Sequence, residues 1–505
     1  MSKPEAKEQG AEAGHQELSV LESLLNKVDL APPASPVESG REIEKASQSE
    51  RLVVAVNHLL SQLFRSGEKV ERLEKDAIDK IVAEIDGKLS DQISAIMHHE
   101  RFQDLESSWR GLKFLVDRTN FRANIKLEIL NVSKDDLRDD LEDAPELLQS
   151  GLFHHMYKSE YDQAGGEPFA AVIGNYFFNQ SRPDINMLKN LSQVAAGCHA
   201  PFISASDAKM FGLEQATDLH KIKDMDDLFQ QVEYTQWRSL RDSEDARYLG
   251  LTFPRFLLRA PYDPENYINK EFNFDERVDG GEHGKFLWGN AAFAFASRMT
   301  ESFSKNGWCV NVRGPQSGGM VEDLPIHIYE EEGEDTVKIP TEVMISDRVE
   351  LELADAGFMP LTFYKNRDYA CFFSAQSVQK PTKYTTAEAT ANAKLSANLP
   401  YLFLASRLSH YLKVIQRENI GAAKEKEDLQ KELDTWIQRL VTKMPGAGAD
   451  LKAERPLRDA QIIVNDIAES PGWYNVEMFI RPHFQVEGIN VQLSLVSKMP
   501  KAAEK

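Results

Sequence analysis

Apolar residues recur with helical spacing through the first quarter of the chain. Residues three and four positions apart are hydrophobic over 52–63, 77–96 and 102–116, which places them on one face of an amphipathic helix in each segment. Strict alternation over 125–129 (Ile-Lys-Leu-Glu-Ile) is typical of a strand. We therefore predict an N-terminal helical region over residues 51–130.

Helix and strand patterns alternate in the middle of the chain. A buried strand is predicted within 168–180, a helix over 184–197 and a second strand over 201–205. Strand–helix–strand units of this kind build parallel sheets, so residues 131–385 are predicted to form a central α/β domain. Further predictions are strands at 254–258 and 308–312 and loops at 314–319 and 330–335.

The last part of the chain changes from helix to strand. Residues 386–442 have helical periodicity, with a buried first half and an amphipathic second half, and the Pro-Gly pair at 445–446 is expected to end the helix. Strand patterns at 460–467, 474–480 and 484–496 predict an antiparallel meander. We assign residues 386–505 to a C-terminal domain and the whole chain to the α/β class, α+β overall.

Residues 1–50 differ in composition from the rest. They are rich in Ala, Glu, Ser, Lys and Pro, which is typical of a mostly disordered tail. One stretch departs from that pattern, because Leu21, Leu24, Leu25 and Val28 are spaced to share one helix face. We therefore predict a short amphipathic docking helix within the tail.

Charge and composition exclude several classes of function. The net charge of −21 argues against nucleic acid as the main partner, because binding it requires neutralisation of phosphates by Lys and Arg. No apolar run approaches the roughly 20 residues that span a bilayer. The polar N-terminus lacks the pattern of a secretory signal. Three cysteines without a CxxC pair complete the expectation of a reducing cytoplasm.

Motifs of catalysis and metal binding fail on spacing. The segment 280–286 superficially resembles a phosphate loop but lacks the Ser or Thr that binds magnesium. The adjacent histidine pairs at 98–99 and 154–155 point about 100° apart on a helix and chelate poorly. A dyad of Cys198 and His199 has no acidic partner nearby in sequence. We expect no catalytic residue, no cofactor and no metal.

Acids and arginines are unusually dense over residues 243–262. The members of this constellation are Glu244, Asp245, Arg247, Arg255 and Arg259. One interpretation is an acid–arginine catalytic site. Because the guanidinium fork suits buried pairing and no nucleophile accompanies it, we favour a structural ion-pair cluster that fixes a strand against a helix.

At this constellation the chain resembles the large subunit of the type VI secretion system contractile sheath, the TssC/VipB family. The resemblance covers about residues 50–500, and Asn175 stands where the family usually has Asp. The matching stretches follow the family's order, and they include FQxLExxWRGL at 102–112, GNYFF at 174–178, HAPFI at 199–203, the constellation at 243–262, LWGNAA at 287–292, PTEV at 340–343 and RPHFQ at 481–485.

The resemblance implies a structural protein and not an enzyme. Members pair with a small sheath subunit and stack with neighbouring copies in a helical lattice around an inner tube protein, above a baseplate. Contraction drives the tube and its spike into a target cell. A AAA+ disassembly ATPase then takes the contracted sheath apart. The implied location is the bacterial cytoplasm.

Terminal strands are exchanged between adjacent subunits in that family. The positions in the matching region are Ile462, Val464, Tyr474, Phe479, Val491 and Leu495. Strand addition to a neighbour's sheet is a general way to link subunits, and contacts that do not close produce helical filaments. The alternative is an ordinary intramolecular sheet.

Two further sets of residues receive roles from the resemblance. Arg417, Lys424 and Lys426 would face the inner tube, the alternative being a solvated helix face with intrahelical pairs. The four apolar residues of the tail helix would bind the disassembly ATPase, the alternative being a helix packed on its own subunit. Two rival classes also stay open: a soluble α/β enzyme with a dispersed active site in the central domain, and a closed-shell structural protein.

Overall fold

A computed structural model describes residues 75–264, 267, 272–278, 281–331, 333–367, 369–444, 446–467 and 474–483. The predicted helix at 52–63, the tail helix and the predicted strand at 484–496 lie outside these residues. By its contacts the chain divides into two compact units. One contains the described residues up to Ser94 together with Tyr262–Glu276, and the other contains Ala95–Pro261 and the described residues from Arg277 onward.

Helices predicted at 77–96, 102–116 and 184–197 are present in the structure. The main helices are α1 (Lys75–Met97), α2 (Glu100–Asp117), α3 (Lys134–Asp143), α4 (Arg182–Cys198), α5 (Met225–Gln230), α6 (Thr235–Arg241), α7 (Ala291–Asn306), α8 (Asp347–Asp355), α9 (Ala387–Ser396), α10 (Leu399–Glu418), α11 (Lys426–Gln438) and α12 (Ala449–Glu454). Local chemistry sets their ends. The Asn290 side chain accepts a hydrogen bond from the Ala292 amide at the start of α7, and Gly307 ends that helix at φ 76°.

Among the described residues, the strands form one large sheet and three pairs. They are β1 (Val172–Phe178), β2 (Phe202–Ser206), β3 (Leu249–Phe253), β4 (Phe256–Leu257), β5 (Trp288–Gly289), β6 (Met320–Val321), β7 (His327–Glu331), β8 (Glu334–Lys338), β9 (Met359–Phe363), β10 (Ala370–Phe372), β11 (Leu457–Asp466) and β12 (Tyr474–Pro482). The large sheet has the order β1-β2-β3-β9-β10-β6, and the other pairs are β4-β5, β7-β8 and β11-β12.

Helices cover both faces of the large sheet. The predicted strand–helix–strand unit is β1-α4-β2, whose strands pair in parallel, and β3 and β9 extend the parallel part. Adjacent residues of a strand point to opposite faces. Accordingly Phe202 packs in the cluster that contains α4, and Ile203 packs in the cluster that contains α7. The central region is therefore an α/β layer structure, as predicted.

Helix α10 belongs to two apolar clusters. Its first turns place Leu399 and Phe403 among the residues under the large sheet. Further along the same helix, Leu404 and Leu408 pack with α11 and with the β11-β12 hairpin. The C-terminal hairpin is thus joined to the central sheet through one continuous helix.

Two predicted strands are absent. Residues 125–129 form no ladder with any described residue, although Leu127 is half-buried beside Leu115 and Phe293. Residues 308–312 form turns instead of a strand. There the Ser302 hydroxyl donates to the Trp308 carbonyl and accepts from the Asn311 amide, which uses the backbone groups that a ladder would need.

Other boundaries differ from prediction. The strand expected at 254–258 is reduced to the two residues of β4, and the loop expected at 330–335 is shortened by the β7-β8 hairpin. The helical segment 386–442 is not continuous, because α10 ends at Glu418 and α11 begins at Lys426 with a capping box. The first half of this segment was predicted to be buried. That holds for α10, whose buried residues run from Leu399 to His410, but α9 contains no buried residue.

Candidate functional site

The C-terminal hairpin contains four of the six residues predicted to take part in strand exchange. Strands β11 and β12 pair antiparallel, with Ile462 opposite Met478 and Val464 opposite Val476. Ile462 and Val464 are buried in the apolar cluster beneath the hairpin, and Tyr474 is half-buried against it. Phe479 points the other way and is 55% exposed. The last two positions, Val491 and Leu495, lie outside the described residues.

Helix α11 supports the hairpin from below. Leu433 and Ile437 are buried against the same cluster, which follows from the amphipathic pattern read in the sequence. An isolated two-stranded hairpin is marginally stable in water, so this packing is what holds β11 and β12 in place.

The three predicted tube-facing cations have partners within the chain. Arg417 donates to the backbone oxygen of Gln163 at 2.6 Å. Lys424 lies 2.7 Å from the Glu432 carboxylate, and Lys426 lies 3.5 Å from a carboxylate oxygen of Asp466. They do not share one helix: Arg417 is in the last turn of α10, Lys424 is in the connection and Lys426 begins α11. That they face an inner tube stays a prediction.

The structure separates the acid–arginine constellation. Glu244 is at the surface, with an 88% exposed side chain, and pairs with Arg247 three residues on, while Asp245 begins a short 3-10 helix. Arg255 and Arg259 instead pair with acids far away in sequence. The predicted cluster is therefore wrong in its partners, because proximity in sequence does not bring these side chains together.

Arg255 binds both carboxylate oxygens of Glu342. Its Nε is 3.0 Å from Oε2 and its Nη2 is 2.5 Å from Oε1. The His283 ring reaches the same Oε1 at 2.9 Å. Burial acts to raise the pKa of Glu342, but the hydrogen bonds from His283 and Arg255 and their charges hold it at about 2. This centre joins β4 to the segments that contain His283 and Glu342.

Arg259 binds Glu106 of α2. Their side chains are 6% and 13% exposed, and Arg110 shares the same carboxylate. Burial acts to raise the pKa of Glu106, but hydrogen bonds and charge from Arg259 and Arg110 keep it below its usual value. In the sequence, Glu106 and Glu342 stand out only as parts of the stretches at 102–112 and 340–343, since no local signal links them to these arginines.

Cys198 and His199 are unsuited to nucleophilic chemistry. Burial raises the pKa of the Cys198 thiol to about 12, whereas a nucleophilic cysteine requires a lowered pKa. The His199 ring lies 3.1 Å from the Tyr248 hydroxyl, and burial lowers its pKa. Nearby, Nε2 of His410 donates to the Cys198 carbonyl at 3.0 Å, and burial lowers the pKa of His410 to about 4. The group is a buried aromatic and histidine packing centre.

The described residues contain no metal-binding group and no membrane-spanning helix. No three His, Cys, Asp or Glu side chains in this part of the chain are placed to hold a metal ion together. None of the described helices combines the length and apolar character needed to cross a membrane.

Comparison with protein families decides the identity of the fold. The VipB family model described as EvpB/VC_A0108, tail sheath N-terminal domain, matches residues 79–379. A second model, the tail sheath gpW/gp25-like domain of the same family, matches residues 388–499. The chain belongs to the VipB tail-sheath family. The predicted resemblance is confirmed, and the mixed helix and strand architecture agrees with it.

Individual relatives of this sheath family member were also found. The chain is 45% identical over 459 residues to the type VI secretion system sheath protein TssC1 of Pseudomonas aeruginosa, covering 90% of this chain and 92% of that protein. Likeness to solved structures is weaker. The baseplate of the anti-feeding prophage matches with 11% identity and TM-score 0.35 over 74% of this chain and 84% of the other. The contracted PVC sheath complex of an extracellular contractile injection system matches with 8% identity and TM-score 0.35 over 61% and 68%.

Proposed function

We propose that this chain is the large structural subunit of the contractile sheath of a type VI secretion system. The observation that carries the proposal is the match of two tail-sheath family models, in order, to both halves of the chain. In this role the chain pairs with a small sheath subunit and polymerises helically around an inner tube. Contraction of the lattice then propels the tube and spike into a target cell.

The proposed role is mechanical and involves no catalysis. Its arginines form bidentate or shared pairs that join strands and helices, as in the Arg255–Glu342 and Arg259–Glu106 contacts. The buried thiol of Cys198 carries a raised pKa and is poorly suited to attack a substrate. These features favour a rigid building block over the rival α/β enzyme.

Strand exchange through the C-terminal hairpin is the proposed link between neighbouring copies. The hairpin supplies a paired template, and Phe479 offers an exposed aromatic side chain on it. Residues 489–495 (Ile-Asn-Val-Gln-Leu-Ser-Leu) alternate apolar and polar, as an added strand requires. Val491 and Leu495 belong to this alternating stretch.

The remaining partners follow from the family resemblance. We assign the baseplate and the inner tube protein as contacts of the lattice, with Arg417, Lys424 and Lys426 on the tube side. The tail helix with Leu21, Leu24, Leu25 and Val28 is the proposed handle for the AAA+ disassembly ATPase. Division of the chain at about residue 386 is supported by the two family models, which meet between 379 and 388. The setting is the bacterial cytoplasm.

Electron microscopy of the chain co-expressed with the small sheath subunit tests the proposal. Hollow tubules with a cogwheel cross-section are expected. Dispersed particles at high concentration would favour the α/β enzyme, and closed shells would favour the shell protein. Either of these results would overturn the proposed function.

A further inference from the structure

Strand β1 forms one edge of the large sheet. It is seven residues long and pairs with β2 on one side, and on its other side no strand of the described residues pairs with it. At the opposite edge of the sheet, β6 has only two residues, and Arg298 donates a hydrogen bond to its Met320 carbonyl. A long unpaired edge is a template for pairing with another chain, and native proteins shorten or cover edges that should stay free. The large sheet is thus open to strand addition at β1.

Backbone groups on one side of β1 are bound to β2. The Val172 amide donates to the carbonyl that precedes β2 at 2.9 Å. Although the register of the two strands is irregular at the middle of β1, the carbonyls of Gly174 and Tyr176 lie 2.9 and 2.8 Å from the Ser204 hydroxyl of β2. The even-numbered residues of β1 therefore direct their backbone groups towards β2.

The alternate residues of β1 direct their backbone groups to the open side. These residues are Ile173, Asn175 and Phe177. The Phe177 carbonyl accepts from the Lys134 ammonium at 2.7 Å, and within the described ranges no other hydrogen bond reaches the outward groups. The three amides and the carbonyls of Ile173 and Asn175 can therefore bind an added strand.

Residues 125–132, the crossing segment, pass beside this edge. They lead from α2, which packs with α7 on one face of the sheet, to α3, which packs with α4 on the other face. Leu127 and Ile173 pack against the same apolar cluster, and the Val132 carbonyl accepts from the Tyr176 hydroxyl at 2.9 Å. In the part of the chain that the structure describes, no backbone hydrogen bond joins the crossing segment to β1. The two stretches are neighbours that form no ladder.

We infer that the open edge of β1 binds an extended segment of the small sheath subunit, which enters beside the crossing segment. This inference rests on the proposed sheath function and names the surface through which the two subunits pair. Main-chain hydrogen bonds to a sheet edge give affinity, and alternate side chains of the added strand give specificity. Ile129 and Leu130 of the crossing segment are exposed and offer apolar contacts to such side chains.

Apolar residues of α2 extend this surface. Helix α2 contacts β1 where the Asn175 side-chain amide donates to the Ser108 hydroxyl at 2.9 Å. Beside Ser108 in the sequence, Trp109 is 65% exposed, and Leu105, one turn earlier, is exposed as well. Permanent interfaces bury more area and are more apolar than transient ones, and tryptophan is enriched in them. A strand edge flanked by these side chains therefore fits a subunit that stays bound.

Symmetry and charge disfavour a second copy of this chain at β1. Two β1 edges paired with each other would relate the copies by a two-fold axis and give a closed dimer, whereas a helical lattice needs contacts that do not close. Every described strand is already paired within its own chain, and each copy carries a net charge of −21, so that like charges repel. The small sheath subunit is the partner that meets both conditions.

Photo-crosslinking identifies the occupant of the edge. A photo-reactive benzoylphenylalanine replaces Leu130 in the full chain, which is co-expressed with the small sheath subunit and assembled into tubules. After irradiation, crosslinked products are separated on gels and identified by mass spectrometry. We expect a product that joins position 130 to one short segment of the small subunit. A sample kept in the dark gives the background.

Removal of one outward amide tests the hydrogen bonds of the edge. Asn175→Pro deletes an amide that faces the open side and keeps the groups that face β2, and proline is tolerated at such edge positions. Asn175→Ala is the matched control, because it also loses the side chain but keeps the amide. On dilution of the purified pair, the Asn175→Pro pair should dissociate about tenfold more readily than the Asn175→Ala pair, since a carbonyl of the added strand is left unpaired.

Limited proteolysis compares the folds of the two variants. Equal fragment patterns show that Asn175→Pro keeps the fold, so that its weaker pairing supports the inference. If only Asn175→Pro is degraded, the crosslink from position 130 decides instead.

Three outcomes would overturn the inference. They are a crosslink from position 130 to a second copy of this chain, tubules without any crosslink between chains, and equal dissociation of the two Asn175 variants. In each case the unmodified chain still forms tubules and the proposed sheath function stands. If the unmodified chain forms no tubules with the small subunit, the sheath function fails and this inference with it.

Discussion

The guanidinium Nε of Arg259 lies 2.8 Å from the Glu106 carboxylate, although 153 positions separate the two residues in the chain. The contact joins helix α2 to the segment that follows β4. Both side chains are nearly buried. Removing one of them therefore takes away an opposite charge that stabilises the charge of the other.

Replacing Glu106 should therefore destabilise the protein strongly. For Glu106→Gln we expect a loss of about 3 kcal/mol, typical of a broken buried ion pair, measured as a lowered urea midpoint of the purified sheath pair. Lys113→Ala serves as the control, because its pair with Asp117 is exposed and should change the midpoint little. Equal effects of the two variants would contradict the structural role of the Glu106 contact.

Stability should fall in acid through Glu342. Its pKa of about 2 in the folded protein lies below the ordinary value of 4.5, so the unfolded chain takes up the proton first as pH falls. The contribution, about 3 kcal/mol, is fully present above pH 4.5 and is lost between about 4.5 and 2.

Urea midpoints of the wild type and of Glu342→Gln at several pH values measure this loss. The difference in urea midpoint between the wild type and Glu342→Gln should be large at pH 7 and should become small towards pH 3. The exposed Glu84→Gln serves as the control and should follow the wild type at each pH. A constant gap would show that the Glu342 carboxylate is not the titrating group.

The tail helix should act in disassembly and not in assembly. Leu24→Asp combined with Leu25→Asp places two charges on the apolar face, so binding of the AAA+ ATPase should be lost in a pull-down while tubules still form. Burial of the four apolar side chains amounts to roughly 6–12 kcal/mol before the costs of ordering and association. Loss of tubules instead would indicate that the helix packs within its own subunit.

Reversal of the three proposed tube-facing charges should abolish binding to the inner tube but not pairing with the small sheath subunit. With Arg417→Glu, Lys424→Glu and Lys426→Glu together, co-sedimentation with the inner tube should disappear while the complex with the small subunit persists. Lys443→Glu, an exposed cation paired with Asp459, is the matched control. Unchanged co-sedimentation of the triple variant would remove these residues from the tube interface.

The periodicity of apolar residues predicted those helices and strands whose burial pattern is determined by their own sequence. Helices α1, α2 and α4 and strands β1 and β2 fall where apolar spacing placed them. Periodicity failed where a side chain from another segment binds the backbone groups of the predicted strand. The Ser302 hydroxyl binds the Trp308 carbonyl and the Asn311 amide, and the alternating burial over residues 308–312 does not lead to a strand.

The ion pairs illustrate the same limit at the candidate site. Sequence shows that Arg255 and Arg259 are candidates for buried pairing, because arginine favours such contacts. It does not show that their acids are Glu342 and Glu106, since the fold alone brings those carboxylates near. The hydrogen bonds of Gln430 on α11 to the backbone of Ile462 and Val464 are likewise invisible in sequence, because glutamine on a helix surface is ordinarily solvated.

Helix α10 has a mechanical consequence for the proposed sheath. It is 20 residues long, about 30 Å, and its two ends are locked into different apolar clusters. We therefore expect a displacement that an adjoining molecule imposes on the β11-β12 hairpin to be transmitted through α10 to the large sheet. The hairpin and the sheet would then move together, without bending of the chain between them.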